Sequence, residues 1–243
     1  MNIQENQTPQ TETQPQHSTL RAILFDMDGV LFDSMPYHAQ SWAKVCDEFG
    51  LHLDPVEVYM NEGRTGASTI NLLTHRYWER DATPEEIEQI YEEKCRLFNT
   101  FPEADKMPGA QQVLQAAKEA GLTIVVVTGS GQKSLLGRLE HNFPGIFSPD
   151  LIVSSKDVKH GKPNPEPYLM GLEKAGVKAK EALVVENAPL GVRAAVAAGI
   201  YTVAVNTGPL PESALLNEGA NKLYPSMQAL ADNFKNLQAE WEA

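Results

Sequence analysis

Asp26 and Asp28, in the run LFDMDGVLFDS, stand two residues apart where the apolar, β-prone stretch RAILF gives out. In extended backbone residues i and i+2 project to the same side, so the two carboxylates face one point, with Gly29 freeing the chain to turn beneath them. A pair of acids aimed at one point suits a metal ion, a phosphoryl group or both. A carboxylate can attack phosphorus and form an aspartyl phosphate, but it and a phosphate dianion repel each other, so a cation must lie between them. Mg²⁺ meets that need, because it prefers oxygen ligands, one or two carboxylates and substrate phosphate oxygens. In this reading Asp26 is nucleophile and metal ligand, and Asp28 protonates the leaving oxygen and later deprotonates the attacking water or alcohol. An Asp bonding its own backbone in a turn accounts for one such acid and poorly for two.

The remaining chemistry must come from neighbouring strand ends, since open parallel sheets bind ligands beyond the carboxyl ends of their strands. Those ends offer Thr128, Gly129 and Ser130 after the second strand, Lys162 past the third, and Glu186 and Asn187 after the fourth. The amides of Gly129 and Ser130 suit phosphoryl oxygens at the start of a following helix, although an ordinary strand-to-helix turn capped by Ser130 fits the same residues. The stretch TGSGQKS also approaches a dinucleotide fingerprint, but Ser134 stands where Gly or Ala should close it. Lys162 in GKPNPEPY is flanked by prolines that stiffen its loop, which would hold its ammonium near a phosphoryl group; taken alone it is a surface lysine.

The elements that position these groups follow from periodicity. LTIVVVTGS, DLIVSS, EALVVEN and YTVAVNTG are short apolar runs with room for a helix between each, and AILFDMDG makes a fifth. Strands apolar almost throughout and separated by helices predict an α/β fold, a doubly wound parallel sheet. GAQQVLQAAKEAG and GVRAAVAAG read as two of its helices, ending at Gly121 and Gly199. Between residues 35 and 105 the alternation stops. MPYHAQSWAKVCDEFG, GASTINLLTHRYWER and TPEEIEQIYEEKCRLFNT are all helical in period, the last with Thr83, Pro84 and Glu86 set as a capping box. The expected organisation is a tail over 1–19, a core from 20–34 and 106–243, and an inserted helical cap domain over 35–105.

The 243 residues, 42% of them apolar, are enough for a sizeable core. The first nineteen, rich in Gln, Thr and Pro, cannot bury enough surface to fold and lack the basic start and apolar stretch of a signal peptide. No run of eighteen apolar residues would span a membrane, so the chain reads as soluble and cytoplasmic. Cys46 and Cys95, without a CxxC spacing, read as reduced packing residues. A net charge of −12 with no basic stripe argues against nucleic acid as partner and leaves monomer and dimer equally open.

Four stretches, DMDGVLFDS, VTGSG, GKPNPEPY and VVENAPLGVRAA, resemble the four ordered motifs of the haloacid dehalogenase (HAD) superfamily, over residues 20 to 225. DSMPYHAQSW and the later GRTG resemble its β-phosphoglucomutase-like subfamily, which carries a helical cap. The resemblance implies Asp26 as nucleophile, Asp28 as acid and base with its backbone carbonyl on Mg²⁺, and Thr128 and Lys162 on the transferring phosphate. It implies a metal site completed by Glu186 and Asn187, and a cap loop that brings Arg64 to a distal phosphate. The second acid favours phosphoryl transfer over dehalogenation.

The chain departs from the family at Glu186-Asn187-Ala188, where close relatives usually carry Glu-Asp-Ser. One charge is then missing beside the metal, and Glu62 in YMNEGRTGAS is positioned to replace it when the cap closes; otherwise it is a solvated loop acid. A cap residue on the metal would leave little room between cap and core and favour a short substrate. NEGRTG with ENAPLG looks closest to HAD-type inorganic pyrophosphatases of this subfamily. β-Phosphoglucomutase or a sugar-phosphate phosphatase is the rival, with His38 and Lys94 where the mutases keep cap-side residues. His38 also reads as a packing partner of Tyr37 and Trp42, and Lys94 as a solvated partner of nearby acids. A more distant rival is a phosphate-binding protein without activity. Residues 34–36 and 102–109 are the expected hinges of the cap.

Overall fold

The structure, a computed structural model, describes residues 19–131 and 135–242. All but the last residue of the tail read over 1–19 lie outside the described residues, as does Ser134 with the end of the near-fingerprint. Six parallel strands form one sheet: β1 Ala22–Phe25, β2 Thr123–Val127, β3 Ile152–Val153, β4 Ala182–Glu186, β5 Tyr201–Val205 and β6 Lys222–Tyr224. Their order is β3-β2-β1-β4-β5-β6. The chain leaves β1 toward one edge and then crosses to β4 on its other side, so the topological switch lies at the carboxyl ends of β1 and β4, beside Asp26 and Glu186.

Alternate residues of β1 serve opposite faces, as strand geometry requires. Ile23 and Phe25 join a core with α5 (Ala110–Glu119), α6 (Leu135–Asn142) and α10 (Met227–Glu242), through Val113, Leu114, Leu139, Leu230 and Phe234. Ala22 and Leu24 join another with α7 (Glu166–Ala175) and α8 (Pro189–Ala197), through Tyr168, Leu172, Ala194 and Ala195. Full burial of side chains such as Leu24 contributes roughly 1.5–3 kcal/mol each. α9 (Glu212–Leu216) is a short helix before β6. The sequence reading counts five strands; β6 adds a sixth, and β3 is only two residues long. Among the described residues no helix is long and apolar enough to cross a membrane.

Between β1 and β2 the chain builds four helices: α1 Met35–Glu48, α2 Pro55–Met60, α3 Gly66–Trp78 and α4 Pro84–Phe98. Trp42, Val45, Leu53, Ile70, Leu73 and Ile90 form an apolar cluster of their own, distinct from the two on the sheet. Thr83 Oγ1 accepts from the Glu86 amide at 3.3 Å while the Glu86 carboxylate accepts from the Thr83 amide at 2.8 Å, the capping box read from the sequence. α2, which that reading did not separate, starts where Asp54 accepts from the Val56 amide at 2.7 Å and Pro55 fixes the first turn. The two linkers of this insert run side by side: the Asp33 amide donates to Asp105 O and the Met107 amide to Leu31 O, each at 2.9 Å. Cys46 is buried in the helical cluster, and both cysteines are free thiols.

Candidate active site

Asp26 follows β1 directly, its amide continuing the ladder by donating to Val185 O at 3.0 Å. An ammonium has three hydrogens, and those of Lys162 are all engaged: Nζ donates to Asp26 Oδ1, to Glu186 Oε1 at 2.6 Å and to Val127 O at 3.1 Å. Glu186 is held from every side. Its Oε1 also accepts from the Tyr168 hydroxyl at 2.8 Å, and its Oε2 from the amides of Asn187 at 2.8 Å and Ala188 at 3.1 Å. The carboxylate lies so close to α8 that a Cβ on Gly191 would come within 1.7 Å of Oε1. Read from the sequence as a metal ligand, Glu186 instead has both oxygens occupied by protein donors and orients Lys162.

The charges here are uneven. Burial opposes the ammonium of Lys162, but the Asp26 and Glu186 carboxylates outweigh it and hold the amine above its usual range. Asp26 has only a share of that one cation. Burial, with Glu186 and Asp28 adding repulsion, outweighs Lys162 and pushes the Asp26 carboxyl up to about 8.

Asp28 faces the helical insert. Its Oδ1 accepts from Ser34 Oγ at 2.6 Å and meets His38 Nε2 at 3.3 Å, and His38 Nδ1 lies 2.8 Å from Lys94 Nζ. Lysine only donates, so the network assigns the lone pair to Nδ1 and the proton to Nε2, leaving a neutral imidazole that donates to Asp28. Burial and the Lys94 charge lower the imidazole pKa, consistent with that tautomer. Burial alone would raise Asp28, but His38, Arg138 and Ser34 outweigh it and hold this carboxyl below its usual range. Lys94 is 3% exposed and over the Phe98 ring, so it is a buried partner of His38 and not the solvated side chain read from the sequence. His38 packs on Phe98, with ring centroids 4.3 Å apart, in place of Tyr37 and Trp42.

Glu62, on the loop after α2, is half-buried with its Oε1 shielded from solvent, and its Oε2 accepts from Asn187 Nδ2 at 3.2 Å. Burial and the repulsion of Asp26, Glu186 and Asp28 raise its carboxyl well above the usual range. Three buried oxygens in this region, Asp26 Oδ2, Glu62 Oε1 and Asn187 Oδ1, have no hydrogen-bond partner among the described residues. Unpartnered oxygens in a dry site are unfavourable unless something positive meets them. Among the described residues no trio of His, Cys, Asp and Glu side chains is arranged around one metal point. The set here is two carboxylates and an amide, hard oxygen donors that fit Mg²⁺.

Thr128 is buried at the end of β2 and accepts from the Ser130 amide at 3.0 Å. That bond occupies the amide of Ser130, one of the two donors read from the sequence as available to phosphoryl oxygens, and Gly129 and Ser130 themselves lie outside any helix. Arg64 donates from Nε to Asn61 Oδ1 at 3.1 Å and from Nη1 to Ser68 Oγ at 3.0 Å. A cleft of about 80 Å³ brings Arg64, Glu62, His38, Lys94 and Ser130 together with Asp26 and Asp28. Ser34 and Tyr168 were not singled out from the sequence. Tyr168 was within reach, since it closes the same GKPNPEPY stretch as Lys162.

A parallel sheet with carboxylates and a lysine gathered at its switch point, covered by a helical insert, defines the class of Rossmannoid α/β hydrolases. The chain belongs to the haloacid dehalogenase-like hydrolase family, whose profile matches residues 23–205. It is a phosphatase or phosphoglucomutase-like enzyme of that family. It is similar to hexitol phosphatase A of Escherichia coli (31% identity, 76% of this chain, 83% of that one). It is also similar to the phosphorylated carbohydrates phosphatase of Thermotoga maritima (30% identity, 83% of this chain, 92% of that one). Among solved structures it resembles a Bacteroides vulgatus protein provisionally described as a beta-phosphoglucomutase: 59% identity, TM-score 0.90, 93% of this chain and 91% of that one.

Proposed function

We infer that this chain hydrolyses short phosphate substrates, inorganic pyrophosphate first among them, through an aspartyl phosphate on Asp26 and with Mg²⁺ as its ion. The observation that carries this reading is Glu62, which reaches from the insert to Asn187 and leaves its Oε1 unpartnered beside Asp26 Oδ2 and Asn187 Oδ1. These three side chains, with the Asp28 carbonyl that the family resemblance implies, would hold the ion, whose charge would neutralise the attacking carboxylate and polarise the phosphoryl group. The cleft of about 80 Å³ is far below the roughly 300–1,000 Å³ of pockets for drug-sized ligands, which supports a substrate with little beyond its phosphates.

The Asp26 carboxylate attacks one phosphorus and the bond to the bridging oxygen breaks, its electron pair leaving with the second phosphate. Asp28 gives that oxygen a proton. The lowered pKa of Asp28 keeps it ionised, the form in which it enters the second half of the cycle and takes a proton from water. For the first half, the negative charge of the arriving phosphate raises the Asp28 pKa by repulsion. The water oxygen attacks phosphorus, the bond to Asp26 breaks, and phosphate and the free carboxylate are restored. Lys162 holds Asp26 in place and offsets its charge throughout.

A second reading, a sugar-phosphate phosphatase or β-phosphoglucomutase, is favoured by the Lys94–His38 pair that extends from Asp28 into the cleft, and by the names of the relatives. Phosphate release from pyrophosphate, β-glucose 1-phosphate and hexitol phosphates, with and without Mg²⁺, separates the two. Pyrophosphate is expected to be the best substrate, with Glu62→Ala losing about 100-fold or more. Preference for sugar phosphates, insensitive to Glu62, would overturn the pyrophosphatase reading.

A further inference from the structure

Three glycines in the segments that follow β2, β3 and β5 lie against the end of α2 and the loop after it, which carries Glu62. A Cβ on Gly208, after β5, would come within 2.9 Å of Tyr59 Cδ1. One on Gly161, in the loop before Lys162, would come within 2.8 Å of Thr65 Cγ2 and 3.1 Å of the Thr65 amide nitrogen. One on Gly129, after β2, would lie 3.2 Å from the carbonyl oxygens of both Gly63 and Arg64. None of the three has a positive φ, so no turn geometry demands glycine at these positions. By contrast, Gly137 also has an ordinary φ and meets nothing within 4 Å. What the three share is the approach of residues 59–65 of the helical insert.

We propose that Gly208, Gly161 and Gly129 are specificity-determining positions: they form the slot that seats residues 59–65 and so fix how deep Glu62 and Arg64 enter the site and how long a phosphate the closed site accepts. This rests on the proposed reading that the chain acts on short phosphates. The physical step is steric. An added methyl at Gly208 would press on the Tyr59 ring, and one at Gly161 on the Thr65 side chain with the Thr65 amide nitrogen close behind it at 3.1 Å, so residues 59–65 must give way to make room. Glu62 is three residues from Tyr59, so that displacement withdraws its carboxylate from Asn187 and opens the far end of the cleft. Tyr59 is not among the residues that line the cleft, and Gly208 holds none of the reacting groups, so the pair reports on seating alone.

The test is a cycle of Gly208→Val, Tyr59→Ala and the double variant, each assayed on pyrophosphate and on β-glucose 1-phosphate. Misplacement of catalytic groups by about 1 Å costs on the order of 100-fold. Gly208→Val is expected to lower kcat/KM for pyrophosphate by about that factor and to lower the ratio of pyrophosphate to sugar phosphate about tenfold. Removing the Tyr59 ring in the double variant is expected to restore most of both. Equal losses on both substrates, or no recovery in the double variant, would overturn the proposal. Should Gly208→Val fail to fold, Tyr59→Trp enlarges the same contact from the other side and carries the same expectation. If wild type does not turn over pyrophosphate, the substrate reading fails, while recovery by Tyr59→Ala on the best phosphate ester still decides the seating.

Discussion

At the scale of single residues, Lys162 serves two buried carboxylates and a carbonyl at once. Lys162→Met leaves Asp26 and Glu186 buried without their cation, which is expected to cost about 3–5 kcal/mol in urea unfolding besides abolishing turnover. A loss below 1 kcal/mol would mean that the pair is not paying this desolvation penalty. Asp26→Asn is expected to end phosphate release from every substrate with the fold intact; a retained rate would remove the covalent intermediate. Lys94 gives a pH signature. Its folded pKa is depressed from 10.5 to about 8, so the unfolded chain binds this proton first as pH falls, and stability drops across that window. The stability of wild type relative to Lys94→Met is therefore expected to rise by about 3 kcal/mol from roughly pH 7 to 10.5, and a flat difference would count against the assignment.

The same scale shows what the sequence makes legible. Asp26, Asp28 and Lys162 stand out because their types and motif spacing are unusual for buried strand ends, and the structure gathers them with Glu186 and Asn187 at one end of the sheet. The deficit at Asn187 pointed to Glu62, and the hydrogen bond between these two joins positions 125 residues apart. The way Glu186 is held was not legible, because a motif gives a residue's type and not its partners; two amides, a phenol and an ammonium occupy it. Lys94 was misread because among Glu92, Glu93 and Arg96 it has the composition of a solvated helix face, and only the packing of α4 against α1 buries it.

At the scale of elements, periodicity and caps found α1, α3 and α4, long amphipathic helices whose apolar stripes build one cluster. β6 and α2 escaped because three and six residues hold too little pattern to stand above background. The capping box of α4 offers an isolated test of an element. Thr83→Ala removes one half of it on an exposed helix end and is expected to cost about 1 kcal/mol with catalysis unchanged. At α7, Gly171 lets the helix approach the sheet so closely that a Cβ would stand 2.7 Å from Leu24 Cδ2. Gly171→Val is expected to destabilise by about 1–3 kcal/mol, read by thermal unfolding, as overpacking does.

At the scale of the molecule, a helical insert with its own apolar cluster sits over the sheet, joined to it by two strands of chain that bond to each other near residues 31–33 and 105–107. A body with its own core is expected to move as a unit about such a junction. Vanadate with Mg²⁺, which occupies a phosphoryl site, is expected to reduce the radius of gyration in solution scattering and to slow protease cleavage of the linkers. Scattering and cleavage that ignore both additions would rule out closure as part of the cycle.

The side-by-side exit and return of the linkers also makes the insert a cassette. The Asp33 amide and the Asp105 carbonyl are already 2.9 Å apart, so a tight turn from about residue 33 to 105 would close the sheet domain without stretching it. The proposed nucleophile Asp26, its lysine and the glutamate that braces that lysine belong entirely to the remaining part. On the proposed reading, a lineage or an engineer can therefore exchange what the enzyme accepts by grafting a different lid between the same two points and leave the Asp26 carboxylate untouched. The graft must bring its own replacement for Glu62, or an Asp at position 187 to stand in for it.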